Sequence, residues 1–222
     1  MKNQKSLAWN KKEQKAKVVF GIDEVGRGPL AGPVIACAFF INSQCLEDGP
    51  ACNDVATSGR ALNIGNVKDS KKLSEKQRER IYSILKKNTS VEWGIGRVGE
   101  RIIDKINILE ATKLAMKKAV MQLEKKIGKK ADMLLIDGNF GINIARRQES
   151  IIKGDEKVFL ISLASIVAKV HRDRLMTQMD KKYPQYGFAS HKGYGTKVHF
   201  ASIATHGPCP IHRISFSPLN QL

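Results

Sequence analysis

Short apolar runs and helical stripes of apolar residues alternate along the chain. Runs rich in β-branched and aromatic residues predict strands at residues 17–22, 34–41, 91–98, 133–136 and 151–153. The 34–41 run is apolar throughout, which is typical of a strand buried on both faces. Strands that alternate with helices predict an α/β fold built around a largely covered sheet.

The helical segments carry their own start and stop signals. Ser74 and Gln77 have the spacing of a capping box and predict the start of a helix. Residues 101–126 carry an apolar stripe that fits one long amphipathic helix or two abutting ones, ended by Gly128. Residues 159–179 predict a helix that is apolar early and charged late, and residues 196–205 predict a short one.

Two segments lack any hydrophobic period. Residues 1–17 are polar and lysine-rich, and we expect them to form a flexible basic arm. Residues 42–68 are rich in Asn, Gly, Ser and Asp and predict a long irregular loop. The length of 222 residues fits one domain with an appendage.

Charge favours a polyanionic partner. The chain has 38 Lys and Arg against 21 Asp and Glu, a formal net charge of +17. Only six of those lysines and one of the glutamates lie in residues 1–17, so the body of the protein is also basic. A positive field attracts nucleic acid above all, although solubility alone is the alternative explanation.

Apolar runs and cysteine spacing limit the compartment. The longest apolar run, residues 34–41, is too short to span a bilayer, and no signal peptide is visible. The four cysteines include no Cys-x-x-Cys pair, so a structural zinc site has little support. We therefore expect a cytoplasmic protein with reduced thiols and no membrane association.

The segment from Gly21 to Pro33 is the most informative for chemistry. Asp23 and Glu24 follow an apolar strand directly and lead into Gly26-Arg27-Gly28. Adjacent carboxylates repel each other at a buried strand end, and a hard divalent cation would relieve that repulsion. The glycines let a ligand approach the backbone, and the arginine offers a fork for phosphate. A solvated acidic turn is the plain alternative.

Two further acids follow apolar runs. Asp137 comes after the strand predicted at 133–136, and Asp155 follows Lys153-Gly154. Either could be an ordinary turn residue. Four carboxylates at strand or loop edges of a basic protein nevertheless suit two-metal phosphoryl chemistry. The sequence alone does not show that the four meet in space.

A third group is basic and aromatic. Lys71 and Lys72 precede a helix cap and offer phosphate contacts, unless they belong to a solvated face. Tyr194 stands between two glycines beside Lys192, an arrangement that presents an aromatic face to a sugar or base. Asp173, in a His-Arg-Asp-Arg run, is expected to pair with arginines and not to bind metal. No nucleophile elbow or phosphate loop of the common types occurs.

Seven motifs, taken in order, resemble those of the ribonuclease HII family and span residues 18 to about 218. They are Gly-Ile-Asp-Glu-Val-Gly-Arg-Gly-Pro-Leu-Ala-Gly-Pro, Asp-Ser-Lys-Lys-Leu, Ile-Asn-Ile-Leu-Glu-Ala-Thr, Ile-Asp-Gly-Asn, Lys-Gly-Asp, Ala-Ser-Ile-Val-Ala-Lys-Val-His-Arg-Asp-Arg and Tyr-Gly-Phe-Ala-Ser-His-Lys-Gly-Tyr-Gly-Thr. Each is moderately specific alone, and the ordered set is very specific. Val25, where the family usually has alanine, is a small departure that spares all four acids.

The resemblance implies a fold and an architecture. The fold would be RNase H-like, a mixed five-stranded sheet flanked by helices with a small helical C-terminal extension. Residues 18–222 would form the catalytic domain, with the extension starting at about residue 181. The protein would be a monomer, and no protein partner is implied.

The resemblance also implies an activity and its residues. The enzyme would use Mn²⁺ or Mg²⁺ to cleave RNA in RNA–DNA hybrids and to nick 5′ of single ribonucleotides in duplex DNA, leaving 5′-phosphate and 3′-hydroxyl ends. The metal ligands and catalytic acids would be Asp23, Glu24, Asp137 and Asp155. The substrate contacts would come from Gly26, Arg27, Gly28, Tyr194 and one of Lys71 and Lys72, with Tyr194 on the sugar of the following nucleotide.

Three other interpretations are weaker. Ribonuclease HIII shares the fold but carries a sizeable domain before the catalytic one, and only 22 residues precede Asp23. A catalytically inactive nucleic-acid-binding module would have no reason to keep four acids facing a polyanion. A basic ribosome-associated protein would bind without divalent-dependent turnover.

Overall fold

The computed structural model describes residues 18–42 and 73–221. The predicted arm at residues 1–17 and nearly all of the loop predicted at 42–68 lie outside these ranges. So do Lys71 and Lys72. The two remaining segments fold into a mixed α/β structure of the predicted class.

A five-stranded mixed sheet forms the centre. Its strands are β1 (Val19–Val25), β2 (Val34–Ile41), β3 (Val91–Val98), β4 (Met133–Asp137) and β5 (Gln148–Ile151). They are arranged in the order β3-β2-β1-β4-β5. The first three pair antiparallel, while β4 runs parallel to both β1 and β5. The carboxyl ends of β1, β4 and β5 therefore lie at the same edge of the sheet.

Three strands differ from the sequence prediction, and one of them, β4, predicted at 133–136, only by including Asp137. The first, predicted at 17–22, extends to Val25, because both acids that follow Ile22 keep pairing with β2. The fifth, predicted at 151–153, lies at Gln148–Ile151. Its residues are polar, so a prediction based on apolar runs did not find it. Polar residues are tolerated there because β5 is an edge strand, whose one neighbour in the described sheet is β4. The strands at 34–41 and 91–98 match their predicted bounds.

Helices cover both faces of the sheet. They are α1 (Glu75–Lys87), α2 (Glu100–Ile127), α3 (Gly154–Lys157), α4 (Phe159–Lys182), α5 (Phe188–His191) and α6 (Lys197–His206). The predicted capping box opens α1. Asn107, at φ 67°, breaks α2 into two abutting helices, and its side chain accepts hydrogen bonds from Leu109 and Glu110 N–H groups. The alternative of two abutting helices is therefore confirmed.

Helix α4 packs tightly on β1. A Cβ added at Gly21 would lie only 2.4 Å from the backbone carbon of Leu160, so only glycine allows this approach. The same side of the sheet receives α1, while α2 covers the opposite side. Close packing at Gly21 brings the next turn of α4 alongside the acids of β1.

The C-terminal extension is helical, as expected. It comprises α5, α6 and two 3₁₀ turns at Pro184–Tyr186 and Leu219–Gln221. Its small apolar core, which includes Tyr186 and Phe188, also takes in Leu30 from the segment between β1 and β2. No helix in the described ranges is both long and apolar enough to cross a membrane.

Candidate active site

Parallel pairing of β1 with β4 brings two of the predicted acids together. Ile22 pairs with Ile136, so Asp23 and Asp137 come next on adjacent strands at the same edge. The carboxyl ends of parallel strands are where α/β folds collect ligands. Asp23 and Glu24 were expected just beyond the strand, yet both lie within β1.

A cavity of about 430 Å³ opens at this edge. Seven of the residues predicted for the site line it: Asp23, Glu24, Asp137, Gly26, Arg27, Gly28 and Tyr194. Five more come from β1, α1 and α4: Val25, Arg78, Ser165, Ile166 and Lys169. The three predicted acids, the glycine-rich turn and Tyr194 therefore line the same cavity.

Asp23 is the acid whose charged form is most strongly disfavoured by its surroundings. It is almost fully buried, and its Oδ1 accepts a hydrogen bond from the Glu24 N–H at 2.7 Å. Burial raises the pKa of Asp23 well above its ordinary value, and the charges of Glu24 and Asp137 raise it further. A hydrogen bond from the Ser165 side chain opposes this only in part.

Glu24 is incompletely satisfied. Its Oε1 accepts a hydrogen bond from Arg27 at 3.2 Å, whereas its buried Oε2 has no hydrogen-bond partner among the described residues. Burial raises the pKa of Glu24, and Arg27 partly offsets that rise. A buried carboxylate oxygen without a donor is a group that a cation would stabilise.

Asp155 lies behind Asp137 and outside the cavity lining given above. It is buried in the first turn of α3, next to Gly154, whose N–H donates to Asp137 Oδ1 at 2.6 Å. Within the part of the chain that the structure describes, no three His, Cys, Asp or Glu side chains form a group that could hold a metal ion as they stand. The four-acid ligand set stays a prediction.

The Gly26-Arg27-Gly28 segment forms a turn whose backbone is fixed by buried neighbours. Gly26 has φ +90°, and a Cβ there would lie 2.2 Å from Arg172 Nε. The carbonyls of Gly26 and Arg27 both accept hydrogen bonds from Arg213. The Arg27 side chain extends toward solvent and lies 5.7 Å from the centre of the Phe140 ring.

Tyr194 lies beside this turn in the cavity lining. It is 44% exposed, which leaves its ring available to a ligand. A Cβ added at Gly28 would lie 3.8 Å from Tyr194 Cε1, an ordinary contact distance. The turn and the ring are therefore neighbours, and we call the part of the cavity that they border the recognition slot.

Sequence reasoning missed two of the basic side chains that line the cavity, Arg78 and Lys169. Lys169 Nζ lies 2.7 Å from Asp173 Oδ1, and Arg78 Nη2 lies 3.7 Å from Asp173 Oδ2. Asp173 thus pairs with an arginine, as expected, and with a lysine one helical turn away. The spacing of Ser165, Lys169 and Asp173 at every fourth residue of α4 is the signal that would have placed them on one face.

A scan against protein-family models matches residues 20–218 to Ribonuclease HII. The chain belongs to the ribonuclease HII family. It is 48% identical over 198 residues to ribonuclease HII of Ruminiclostridium cellulolyticum, covering 89% of this chain and 69% of that one. It is 44% identical over 205 residues to ribonuclease HII of Endomicrobium trichonymphae, covering 92% and 87%.

A solved structure agrees with the fold of this ribonuclease HII. Ribonuclease H2 from Pyrococcus horikoshii superposes with a TM-score of 0.67 at 27% identity, over 92% of this chain and 96% of that one. The protein is a metal-dependent ribonuclease H, an endoribonuclease that acts on RNA–DNA hybrids. Its cavity suits a divalent cation, because carboxylate oxygens repel one another there and Glu24 Oε2 has no donor within residues 18–42 and 73–221.

Proposed function

We propose that this ribonuclease HII nicks duplex DNA on the 5′ side of single embedded ribonucleotides as well as cleaving longer hybrids, leaving 5′-phosphate and 3′-hydroxyl ends. The observation that carries the proposal is that Gly28 and the exposed ring of Tyr194 are neighbours in the same cavity as the acids. A bare turn and an aromatic ring beside the acids support recognition of a single nucleotide and not only of a long helix.

The acids would hold the cofactor. Two Mg²⁺ or Mn²⁺ ions bound by Asp23, Glu24, Asp137 and Asp155 would activate the attacking water and stabilise the leaving oxygen. The raised pKa of Asp23 and the unsatisfied Oε2 of Glu24 support this assignment, since cations would remove both penalties. Asp155 would join the set from behind Asp137, to which its neighbour Gly154 is hydrogen-bonded.

The turn and the tyrosine would recognise the ribonucleotide. Gly26, Arg27 and Gly28 line the cavity beside the acids, and the two glycines carry no side chain of their own, which suits hydrogen bonding of the turn to a 2′-hydroxyl, the group that distinguishes RNA from DNA. Tyr194 would stack on the sugar of the following nucleotide. Its exposed ring supports this role because it has open space on the cavity side.

Basic side chains around the cavity would hold the phosphate backbone. Arg27, Arg78 and Lys169 all line it, so a polyanion entering the cavity meets positive charge on several sides. The predicted contact from Lys71 or Lys72 remains part of the proposal. Together these groups would supply most of the binding affinity, while the acids supply turnover.

A cleavage assay on defined duplexes tests the proposal. Substrates are a DNA duplex with one embedded ribonucleotide, the matched all-DNA duplex and an RNA–DNA hybrid, each with Mg²⁺, Mn²⁺ or chelator. We expect a metal-dependent nick 5′ of the ribonucleotide and none in all-DNA. Cleavage of the long hybrid alone would contradict the single-ribonucleotide activity, and binding without cleavage would favour an inactive binding module.

A further inference from the structure

Two segments far apart in the chain face each other at the recognition slot. We call residues 26–33 the recognition turn and residues 192–196 the tyrosine loop. Leu30 and Ala31 N–H groups donate to the Gly193 carbonyl at 2.8 and 3.3 Å, so the two segments touch directly. Arg172 of α4 joins them as well, since its guanidinium donates to the carbonyls of Ala31 and Pro33 on one side and of Lys192 on the other. Further support for each segment comes from the C-terminal extension.

A third segment, residues 211–213, pairs with the recognition turn. Ala31 and His212 form an isolated antiparallel bridge. Gly32 N–H donates to Ile211 O at 2.9 Å, and Arg213 N–H donates to Leu30 O at 2.8 Å. Successive side chains of an extended segment point in opposite directions, so His212 and Arg213 reach different neighbours.

The Arg213 side chain supports the recognition turn. Its guanidinium is fully buried and donates to the carbonyls of Gly26 (2.6 Å), Arg27 (2.9 Å) and Gly32 (2.6 and 2.9 Å). It makes no ion pair with a carboxylate in the described ranges. A buried guanidinium with this fork geometry fixes carbonyl positions that a lysine could not hold at once.

The His212 side chain supports the tyrosine loop through His199. His212 Nδ1 accepts from the Cys209 N–H at 2.8 Å, which places the imidazole proton on Nε2. That Nε2 lies 3.0 Å from His199 Nε2 and donates to it, leaving His199 Nδ1–H to donate to the Tyr194 carbonyl at 2.9 Å. His212 Nδ1 also lies 3.2 Å from the Cys209 carbonyl oxygen. That contact is longer, and a proton on Nδ1 to make it would leave the Cys209 N–H without its acceptor.

The chain of hydrogen bonds is set for neutral imidazoles. Both rings are buried, His199 completely. Burial lowers the pKa of His199 to about 4 and lowers the pKa of His212 as well. Both rings are therefore neutral at neutral pH, and the hydrogen bonds described above fix their tautomers. The Tyr194 carbonyl accepts from His199 Nδ1–H, a donor whose orientation is fixed in this way.

We infer that His212 and Arg213 are positioning residues that set the relative position of the two sides of the recognition slot, His212 acting through Tyr194 and Arg213 through the Gly26-Arg27-Gly28 turn. The C-terminal extension is then part of the recognition apparatus and not only a support for the fold. This inference rests on the proposed function, in which that slot selects a single ribonucleotide.

A double-mutant cycle tests the role of His212. His212→Phe removes the donor to His199 while keeping a ring of similar size, and His206→Phe is the same change at an exposed histidine of the extension. We expect His212→Phe to lower kcat/KM on the single-ribonucleotide duplex about tenfold, with a smaller loss on the long hybrid. In a Tyr194→Ala background it should cause no further loss. Additive losses, or equal losses on both substrates, would overturn the inference.

Hydrogen–deuterium exchange tests the positioning without any substrate. In His212→Phe and in Arg213→Lys, peptides covering residues 28–33 and 192–196 should exchange about tenfold faster or more, while β1 and β2 keep their protection. Arg101→Lys, an exposed arginine, is the control for the second variant. Unchanged exchange would overturn the inference even in a variant with altered activity.

The two measurements separate the inference from the proposed function. If wild-type enzyme does not nick the single-ribonucleotide duplex, the proposed function fails, and the exchange data alone decide whether His212 and Arg213 hold the slot. If wild type nicks it and His212→Phe does so equally well, the inference fails while the proposed function stands.

Discussion

The two halves of the cavity are built in opposite ways. In the acidic half, Asp23 and Glu24 are buried beside Asp137, their pKa values are raised, and one carboxylate oxygen lacks a donor among the described residues. The recognition half consists of the recognition turn and the tyrosine loop. There, Arg213 and His199 donate hydrogen bonds to backbone carbonyls of the turn and of the loop, respectively. The acidic half is therefore completed only by a ligand, whereas the recognition half is preorganised without one.

Such a division matches what each half has to do. Charges that repel in the empty site strengthen the binding of a cation, and the strain is relieved when the cation binds. Recognition of a sugar hydroxyl needs donors and a ring at fixed distances, which only a rigid wall provides. Removing a group from the acidic half should therefore lower turnover, and removing a group from the recognition half should change substrate choice.

The largest expected effect comes from neutralising the acidic half. Asp23→Asn and Asp137→Asn should each lower cleavage about a thousandfold or more, roughly 4 kcal/mol of transition-state stabilisation, because the proposed function makes each of them a metal ligand. Binding of the hybrid should change little, since basic residues supply most of the affinity. Initial rates and filter-binding titrations measure the two effects.

Glu110→Gln, at an exposed glutamate, is the matched control for these variants. Undiminished cleavage by either aspartate variant at saturating Mg²⁺ would remove that residue from the ligand set. A parallel loss of binding and cleavage would show that the two halves are not separable.

Divalent cations should stabilise the fold through the same acids. At a Mg²⁺ or Mn²⁺ concentration 100 times the dissociation constant, the free energy of unfolding should rise by about 2.7 kcal/mol. Denaturant titrations with cation and with chelator measure this rise. Asp23→Asn should lose most of it, and an equal rise in that variant would place the cation elsewhere.

Acid should weaken the recognition half. The pKa of His199 is lowered from 6.5 to about 4 on folding, so between those values the unfolded chain binds the extra proton and the folded chain does not. Stability contributed by His199 is therefore lost as the pH falls from about 6.5 to 4, by about 3 kcal/mol.

The comparison that isolates this effect is wild type against His199→Phe. The raised pKa of Asp23 acts in the opposite direction, because the folded state takes up that proton more readily. Denaturant titrations at several pH values without divalent cation measure the free energy of unfolding. As the pH falls, this free energy should decrease less in His199→Phe than in wild type. Equal slopes would contradict a neutral buried His199.

The smallest expected effect is on substrate choice. Tyr194→Ala should lower cleavage of the single-ribonucleotide duplex about tenfold more than cleavage of a long hybrid, since stacking contacts contribute about 1–3 kcal/mol each. Parallel kcat/KM measurements on both substrates give the ratio. Equal losses would mean that the tyrosine does not select the junction.

The sequence could predict the acidic half because its signals are local. Asp23 and Asp137 each come directly after an apolar run, and the parallel pairing of the strands that contain those runs brings them together. The bounds of β1 were harder, because two acids inside a strand contradict the usual preference for apolar residues. Whether Asp155 joins the ligand set depends on the geometry of α3, which no local pattern fixes.

The supports of the recognition half could not be predicted in the same way. Arg213 bonds to carbonyls more than 180 residues earlier in the chain, and nothing near it in the sequence indicates that contact. Arg172 did leave a signal, since it lies four residues from Ala168 and from Met176 on the buried stripe of α4. A charged residue on an apolar stripe indicates a buried polar network.

Direct titration of Mn²⁺ tests the contrast between the two halves most simply. Free Mn²⁺ measured by electron paramagnetic resonance gives the dissociation constant for wild type, Asp23→Asn and His212→Phe. We predict that Asp23→Asn binds at least tenfold more weakly, while His212→Phe binds as wild type does. Wild-type affinity in Asp23→Asn, or weakened binding in His212→Phe, would contradict the division of the cavity into a metal-dependent half and a preorganised one.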